Sequence, residues 1–173
     1  MKLKFYDVDC IYTDYLREFD KRIPYIGYEN RNKFLCGIVL SINDINYYVP
    51  VSSNKTKYFS SFIIYDEKKD DKIPISSLRF SFMFPCDNKN INLKDINAEK
   101  DLKYRELMQK EYEYCNKYSA QIIKKANKIY ELAQKKELRE KYNLCDFKLL
   151  EEKFYEYNKR NLKLKSYRYI SYL

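Results

Sequence analysis

The chain has 173 residues, with 34 Lys+Arg against 25 Asp+Glu for a formal net charge of +9; it contains no histidine, no tryptophan and two glycines. Without imidazole there is no Ser-His-Asp or Cys-His triad, no zincin and no His-based RNase. Gly27 and Gly37 alone cannot write a P-loop or a G-x-G-x-x-G fingerprint.

Residues 3–8 read as a short strand. Val8, Ile11, Tyr12, Tyr15, Leu16 and Phe19 then recur at helical spacing, with Asp9 placed to cap that helix. Residues 22–32 hold Pro24 and Gly27 and read as irregular. Residues 34–40 and 47–51 are apolar runs flanking Asn43-Asp44, the turn chemistry of a hairpin. Two further strands are expected over 62–65 and 78–84. The mixed-sign run 66–71 between them reads as a solvated turn rather than a carboxylate metal cluster.

From about residue 93 the period becomes helical. Tyr104, Leu107, Met108, Glu111, Tyr112 and Cys115 share one face, as do Ile122, Ile123, Ala126, Ile129, Tyr130 and Ala133. A last helix starts near Asp146, with Phe147, Leu150, Phe154 and Tyr157 inward. Strands followed by helices predict an α+β fold with an antiparallel sheet. A single domain over 1–173 follows, with 1–92 mainly strands plus an N-terminal helix and 93–173 helical and basic.

Cys10, Cys36, Cys86, Cys115 and Cys145 form no C-x-x-C pair, which predicts core thiols in a reducing compartment and no metal site. There is no 18-residue apolar run and no signal-peptide h-region at the start, so a soluble, cytoplasmic protein without membrane contact is expected. The positive charge is uneven: residues 1–100 carry 16 basic and 14 acidic side chains, residues 101–173 carry 18 and 11. A basic surface of that kind favours a polyanion, nucleic acid ahead of membrane.

Three stretches carry the candidate chemistry. In residues 50–58 a strand stops and hydroxyls alternate with lysines, from Ser52 and Ser53 to Lys55, Lys57 and Tyr58. Hydroxyls and backbone N–H groups bond phosphate oxygens while lysines neutralise them; the plainer reading is a polar turn. Tyr28 to Lys33, with Arg31 among them, precede the central strand, so that Lys33 comes to the same sheet end as Ser53 if those strands pair. A lysine so placed is a candidate for proton exchange, or simply a surface group. The tail from Lys153 interleaves Lys153, Lys159, Arg160, Lys163, Lys165 and Arg168 with five tyrosines, the combination used on single-stranded RNA; a solvated helix face is the alternative. The residues assigned to RNA contact are Tyr12, Arg31, Lys57, Tyr58, Lys153, Lys159 and Arg160.

At these same stretches the sequence resembles the ToxN/AbiQ family, the endoribonuclease toxins of type III toxin–antitoxin and phage abortive-infection systems. Residues 12–20, Tyr-Thr-Asp-Tyr-Leu-Arg-Glu-Phe-Asp, are similar to the family's Y-x-x-Y-L-K-E-F-D. Residues 33–40 resemble K-x-F-I-G-I-V-L, residues 48–55 resemble Y-L-A-P-L-T-S-P-K, and residues 145–154 resemble C-N-F-x-L-L-E-E-K-Y. The resemblance implies a metal-independent, cofactor-free, sequence-preferring RNase on a compact, twisted antiparallel sheet similar to the MazF/Kid toxins. It also implies inhibition by a pseudoknotted antitoxin RNA made from tandem repeats, a closed toxin–RNA ring, and cellular or phage mRNA as substrate.

The family's active-site serine falls on Ser53, its preceding hydroxyl residue on Ser52, its lysines on Lys33 and Lys55, and its tyrosine on Tyr28, with Tyr25 as a rival. Departures are Ser52 for threonine, Asn54 for proline, and Lys57 or Tyr58 where an aromatic residue is common. Cleavage without metal most simply uses the RNA's own 2′-OH as nucleophile, giving 2′,3′-cyclic phosphate and 5′-OH ends, and with no imidazole available the proton and phosphate work falls to hydroxyls and amines. Ser53 and Ser52 would hold the phosphate, Lys55 clamp its charge, Lys33 exchange a proton and Tyr28 stack a base or orient the phosphate. Two rivals stand beside this reading: a non-catalytic basic RNA-binding protein, and a helical interaction module whose charge reflects codon bias.

Overall fold

The computed structural model describes residues 2–27, 33–67 and 72–170, with side chains described as far as Arg160. Strand β1 (Lys4–Val8) leads into helix α1 (Cys10–Phe19), then come β2 (Leu35–Ile42), β3 (Ile45–Ser52), β4 (Ser61–Asp66) and β5 (Ile73–Arg79). Short strands β6 (Phe84–Cys86) and β7 (Ile91–Leu93) follow, then α2 (Leu102–Lys117), α3 (Ser119–Ala133), α4 (Lys136–Lys141) and α5 (Phe147–Ile170). The strands form one sheet in the order β4-β5-β3-β2-β1-β7, with β6 also on β3 and every pair antiparallel. The fold is α+β, strands first and helices mostly after, as the change of period predicts.

The β2–β3 hairpin turns on Asn43 and Asp44, whose φ values of 49° and 62° are those a two-residue primed turn demands. Strand β3 is the hub of the sheet. Along one edge it pairs with β6 through Asn46–Tyr48 and with β5 through Val51 and Ser52. Serving both partners from one edge requires a step in the chain between them, which residues Phe80–Phe82 make as a 3₁₀ turn. The single strand expected over 78–84 is therefore corrected: β5 starts earlier, ends at Arg79, and the apolar run continues through the turn into β6. The Cys145 N–H donates to the Ser81 carbonyl at 2.9 Å, and the Ser60 and Ser81 hydroxyls bond each other, so the step is pinned from two sides.

Helix α1 is capped as expected, the Asp9 carboxylate accepting from the Ile11 N–H at 2.9 Å. Its buried strip is narrower than the periodicity suggests, with Tyr12, Thr13 and Leu16 inside but Ile11 71% exposed and Phe19 38%. The helix meets α5 through Tyr12 and Tyr15, whose rings each lie 5.0 Å from Tyr157, and through Phe19, whose ring lies 4.8 Å from the Lys153 ammonium. The Asp146 carboxylate accepts from the Leu149 N–H at 3.3 Å, capping α5 as expected.

Further along α5 the buried Glu151 carboxylate accepts from the Tyr47 hydroxyl at 2.9 Å and the Tyr130 hydroxyl at 2.6 Å. One carboxylate thus ties β3, α3 and α5 together and keeps two buried phenols satisfied. Its negative charge beside Tyr47, after burial itself, raises that phenol's pKa well above the usual value. Cys36, Cys86, Cys115 and Cys145 are buried free thiols, and Cys10 is half-buried. Sequence periodicity misses β7, three residues long, and α4, a polar six-residue helix with no buried side chain.

Candidate active site and nucleic-acid interface

The β2–β3 ladder positions the first pair of candidate residues. Leu35 stands opposite Pro50, and the Val51 N–H donates to the Phe34 carbonyl at 3.1 Å, which brings Lys33 opposite Ser52. The Lys33 N–H donates to the Ile26 carbonyl at 3.1 Å and fixes the chain entering β2. On the other side, Ser52 pairs with Ser77 of β5.

Beyond Ser52 the chain leaves the sheet as an exposed arm, residues 53–59. The Ser77 hydroxyl donates to the Asn54 carbonyl at 2.6 Å, and the Asn54 N–H donates to Ser52 Oγ at 3.2 Å. The Thr56 N–H donates to the Asn54 side chain at 2.8 Å, and at the far end the Tyr58 N–H donates to Ser61 Oγ at 2.8 Å. The arm is thus held at both ends while its middle faces solvent. Ser52 uses its oxygen as acceptor, leaving its hydroxyl proton for a phosphate oxygen. The Ser53 hydroxyl is exposed and makes no hydrogen bond among the described residues.

Two clefts meet at this point and share Lys33, Val51 and Ser52. The first, about 160 Å³, is completed by Ser53, Ser76, Tyr104 and Glu111 among others. The second, about 240 Å³, runs under Pro24, Asn54, Arg79 and Phe82. Lys33 and Ser52 form the ridge between them. Burial pushes the Glu111 carboxyl up to about 7, a rise the neighbouring Ser76 hydroxyl opposes. Glu111 Oε2 and Ser76 Oγ nevertheless lack partners of ordinary hydrogen-bond geometry.

A carboxyl whose folded pKa lies above its unfolded value binds its proton more tightly in the native state. The contribution of Glu111 to stability therefore falls as pH rises from about 4 to about 7, and above that range its ionised buried carboxylate costs roughly 3 kcal/mol. Glu111→Gln is expected to gain up to about 3 kcal/mol over the parent between pH 4 and pH 8, read from urea unfolding at both pH values. A constant difference would mean that Glu111 does not titrate in this range.

Arg79 is the site residue that sequence reasoning missed. Its Nε is buried without a partner, its guanidinium lies 4.5 Å from the Tyr58 ring and 5.5 Å from Phe82, and among the described residues it makes no salt bridge. Burial holds its pKa below the ordinary arginine value. Inside an apolar run it reads as the outward position of a strand; only its charge among six uncharged neighbours signals it. Glu111, which periodicity groups only with the inward face of α2, likewise carries no sequence signal that it borders a cleft.

Of the assigned catalytic residues, Lys33, Ser52 and Ser53 come together, while Lys55 lies exposed on the arm and lines neither cleft. Tyr28 and Arg31 lie outside the described residues; the rival Tyr25 is 49% exposed with the Arg17 guanidinium 5.8 Å from its ring. Lys57 and Tyr58 are on the exposed arm.

Tyr12, assigned to RNA contact, is a correction: the capped start of α1 aims it into the core, where it is fully buried with its hydroxyl donating to the Pro85 carbonyl at 2.6 Å, and it presents no surface to a ligand. Lys153 is held by Glu156 at 2.8 Å and Glu152 at 3.0 Å, its charge already compensated. Lys159 is exposed, and Arg160 lies 5.9 Å from the Tyr15 ring. Lys163, Lys165 and Arg168 lie beyond the described side chains. In the 66–71 run, Asp66 is buried against Lys110 at 3.0 Å rather than solvated, and 68–71 lie outside the described residues. Among the described residues no three His, Cys, Asp or Glu side chains gather to hold a metal, and no helix is long and apolar enough to cross a membrane.

A family model described as toxin ToxN of type III toxin–antitoxin systems matches residues 4–155. The chain is 32% identical over 167 residues to endoribonuclease ToxN of Bacillus thuringiensis subsp. kurstaki, covering 91% of this chain and 86% of that protein. It is 32% identical over 180 residues to endoribonuclease AbiQ of Lactococcus lactis subsp. lactis, covering 93% and 92%. A solved structure of a type III system in which a non-coding RNA pseudoknot selectively inhibits the toxin superposes with a TM-score of 0.83 at 29% identity, over 91% of this chain and 99% of that one.

Proposed function

Because the chain belongs to the ToxN family of type III toxin–antitoxin systems, we propose that it is a toxin that cleaves RNA at the end of β3, with Ser52, Ser53, Lys33 and Lys55 as the working groups. The observation that carries this reading is the juxtaposition of Lys33 and Ser52 on the ridge between two clefts, with the unbonded Ser53 hydroxyl beside them.

The reaction needs a scissile phosphate held, a proton taken from the 2′-OH, charge on the phosphorane stabilised and a proton given to the 5′-oxygen. Ser53 and Ser52 donate hydrogen bonds to the non-bridging oxygens, and Lys55, free to swing on the exposed arm, neutralises them. Lys33, fixed across from Ser52, exchanges the proton. Tyr28 stacks or orients the substrate. Hydroxyls and amines dominate the donor set, which suits a reaction without metal.

The same groove would take the antitoxin, a pseudoknotted RNA from tandem repeats, in a closed ring of toxin and RNA. The chain expressed alone is expected to arrest growth with its cellular RNA cut, and co-expression of RNA from repeats upstream of its reading frame to restore growth. Arrest with intact RNA would leave a non-catalytic RNA-binding protein instead.

A further inference from the structure

The arm that carries Ser53 ends on a surface that the catalytic reading leaves unused. Phe59 is 41% exposed, and its ring stacks on Tyr142 at 4.4 Å with an interplanar angle of 20°. The Lys125 and Lys128 ammonium groups lie 5.1 Å and 5.7 Å from the Phe59 ring, and Lys141 lies 5.5 Å from Tyr142. Among the described residues none of Lys57, Lys125, Lys128 or Lys141 forms a salt bridge. Burial, then the like charges of Lys128 and Lys57, hold the Lys125 pKa below its ordinary value.

Ammonium groups gathered without a carboxylate repel one another, and an anion set among them relieves that repulsion. The cluster is also continuous with the clefts. Arg79 lines the second cleft and lies over Tyr58, and Tyr58 precedes Phe59 in the chain. Phe59 stands six positions beyond Ser53, a reach of at most about 22 Å.

We propose that Phe59, Tyr142, Lys125 and Lys128 form a second RNA subsite, which takes the single-stranded substrate a few nucleotides from the phosphate held at Ser53. Phosphates draw the two lysine heads outward, and the uncovered aromatic pair gives a base a surface to lie on. The strand whose scissile phosphate sits at Ser53 is the occupant, because the arm leads from one place to the other. Small cations interleaved with a single aromatic pair suit a nucleic-acid strand; a lipid surface would call for a broader apolar face.

The subsite rests on the RNase reading for its substrate, but its test is independent of activity. In a Ser53→Ala background, the probe is a random-sequence single-stranded RNA 20-mer, with binding measured across a salt series. Lys125→Gln with Lys128→Gln is expected to weaken binding at least about tenfold at low salt and to reduce the log–log salt slope by about 1.4, the value for two phosphate contacts on a single strand. Phe59→Ala is expected to weaken it roughly 5- to 150-fold, as loss of one stacked base does. With Ser53 restored, the double lysine variant should raise KM and leave kcat unchanged. Affinity and slope equal to the parent's in the double lysine variant would overturn the subsite even if the wild-type chain cleaves RNA. A wild-type chain that binds through these lysines yet does not cleave would overturn the RNase reading and leave the surface standing.

Discussion

Replacing Ser53 by alanine is expected to slow RNA cleavage by about 10²- to 10⁴-fold while the protein still binds RNA. The hydroxyl is exposed at the start of the arm and bonds nothing else among the described residues, so its loss leaves no buried group unsatisfied. The fold is therefore untouched and the whole effect falls on the transition state. Single-turnover rates with saturating enzyme measure it. Cleavage within about threefold of wild type would remove Ser53 from the chemistry, and lost binding would make it a ligand for the ground state rather than for the phosphorane.

Lys33 gives the second large effect and separates two roles. If the amine exchanges a proton, Lys33→Gln and Lys33→Arg should both lose about 10²- to 10⁴-fold in kcat, since a guanidinium keeps its proton at every working pH. If the amine supplies only charge, arginine should restore most of the rate. The ladder that sets Lys33 opposite Ser52 runs through backbone bonds, so neither substitution disturbs it. A Lys33→Arg enzyme with near-parental kcat would transfer the proton steps to another group.

The hairpin shows both what the sequence discloses and where it stops. Asn43-Asp44 announces the turn, and the flanking runs announce the strands. Near the turn the register pairs Ile42 with Ile45 and Leu40 with Tyr47, which continued without interruption would bring Lys33 opposite Asn54. The irregularity between Gly37 and Leu40 adds residues to β2, so that Gly37 pairs with Tyr48 and Lys33 arrives opposite Ser52. No sequence pattern reveals that shift. A β-carbon at Gly37 would run into the Tyr48 ring, which explains one of the two glycines there.

Helical periodicity has a different blind spot. It groups residues by face without saying whether the face is core or site, so Tyr12 reads as a candidate RNA contact when it is buried, and Glu111 as a packing position when it borders a cleft. Resemblance likewise mixes two kinds of residue. The stretch 48–55 holds the candidate chemistry, whereas in 145–154 Cys145 bonds the 3₁₀ turn at Ser81, Asp146 caps α5, and Glu151 ties α5 to β3 and α3. Arg79 and the Phe59 cluster are invisible in the sequence because Arg79 at the end of β5 meets Tyr58 of the arm, and Phe59 meets α3 and the segment after α4, neighbours that only the fold assembles.

The central claim is that a chain without histidine cleaves RNA with hydroxyls and amines by way of the substrate's own 2′-OH. The most direct measurement is the chemistry of the product ends when purified protein cuts RNA in excess EDTA. The predicted result is undiminished cleavage with 2′,3′-cyclic phosphate on one fragment and 5′-OH on the other. Cleavage abolished by EDTA, or products carrying 5′-phosphate and 3′-OH, would contradict it.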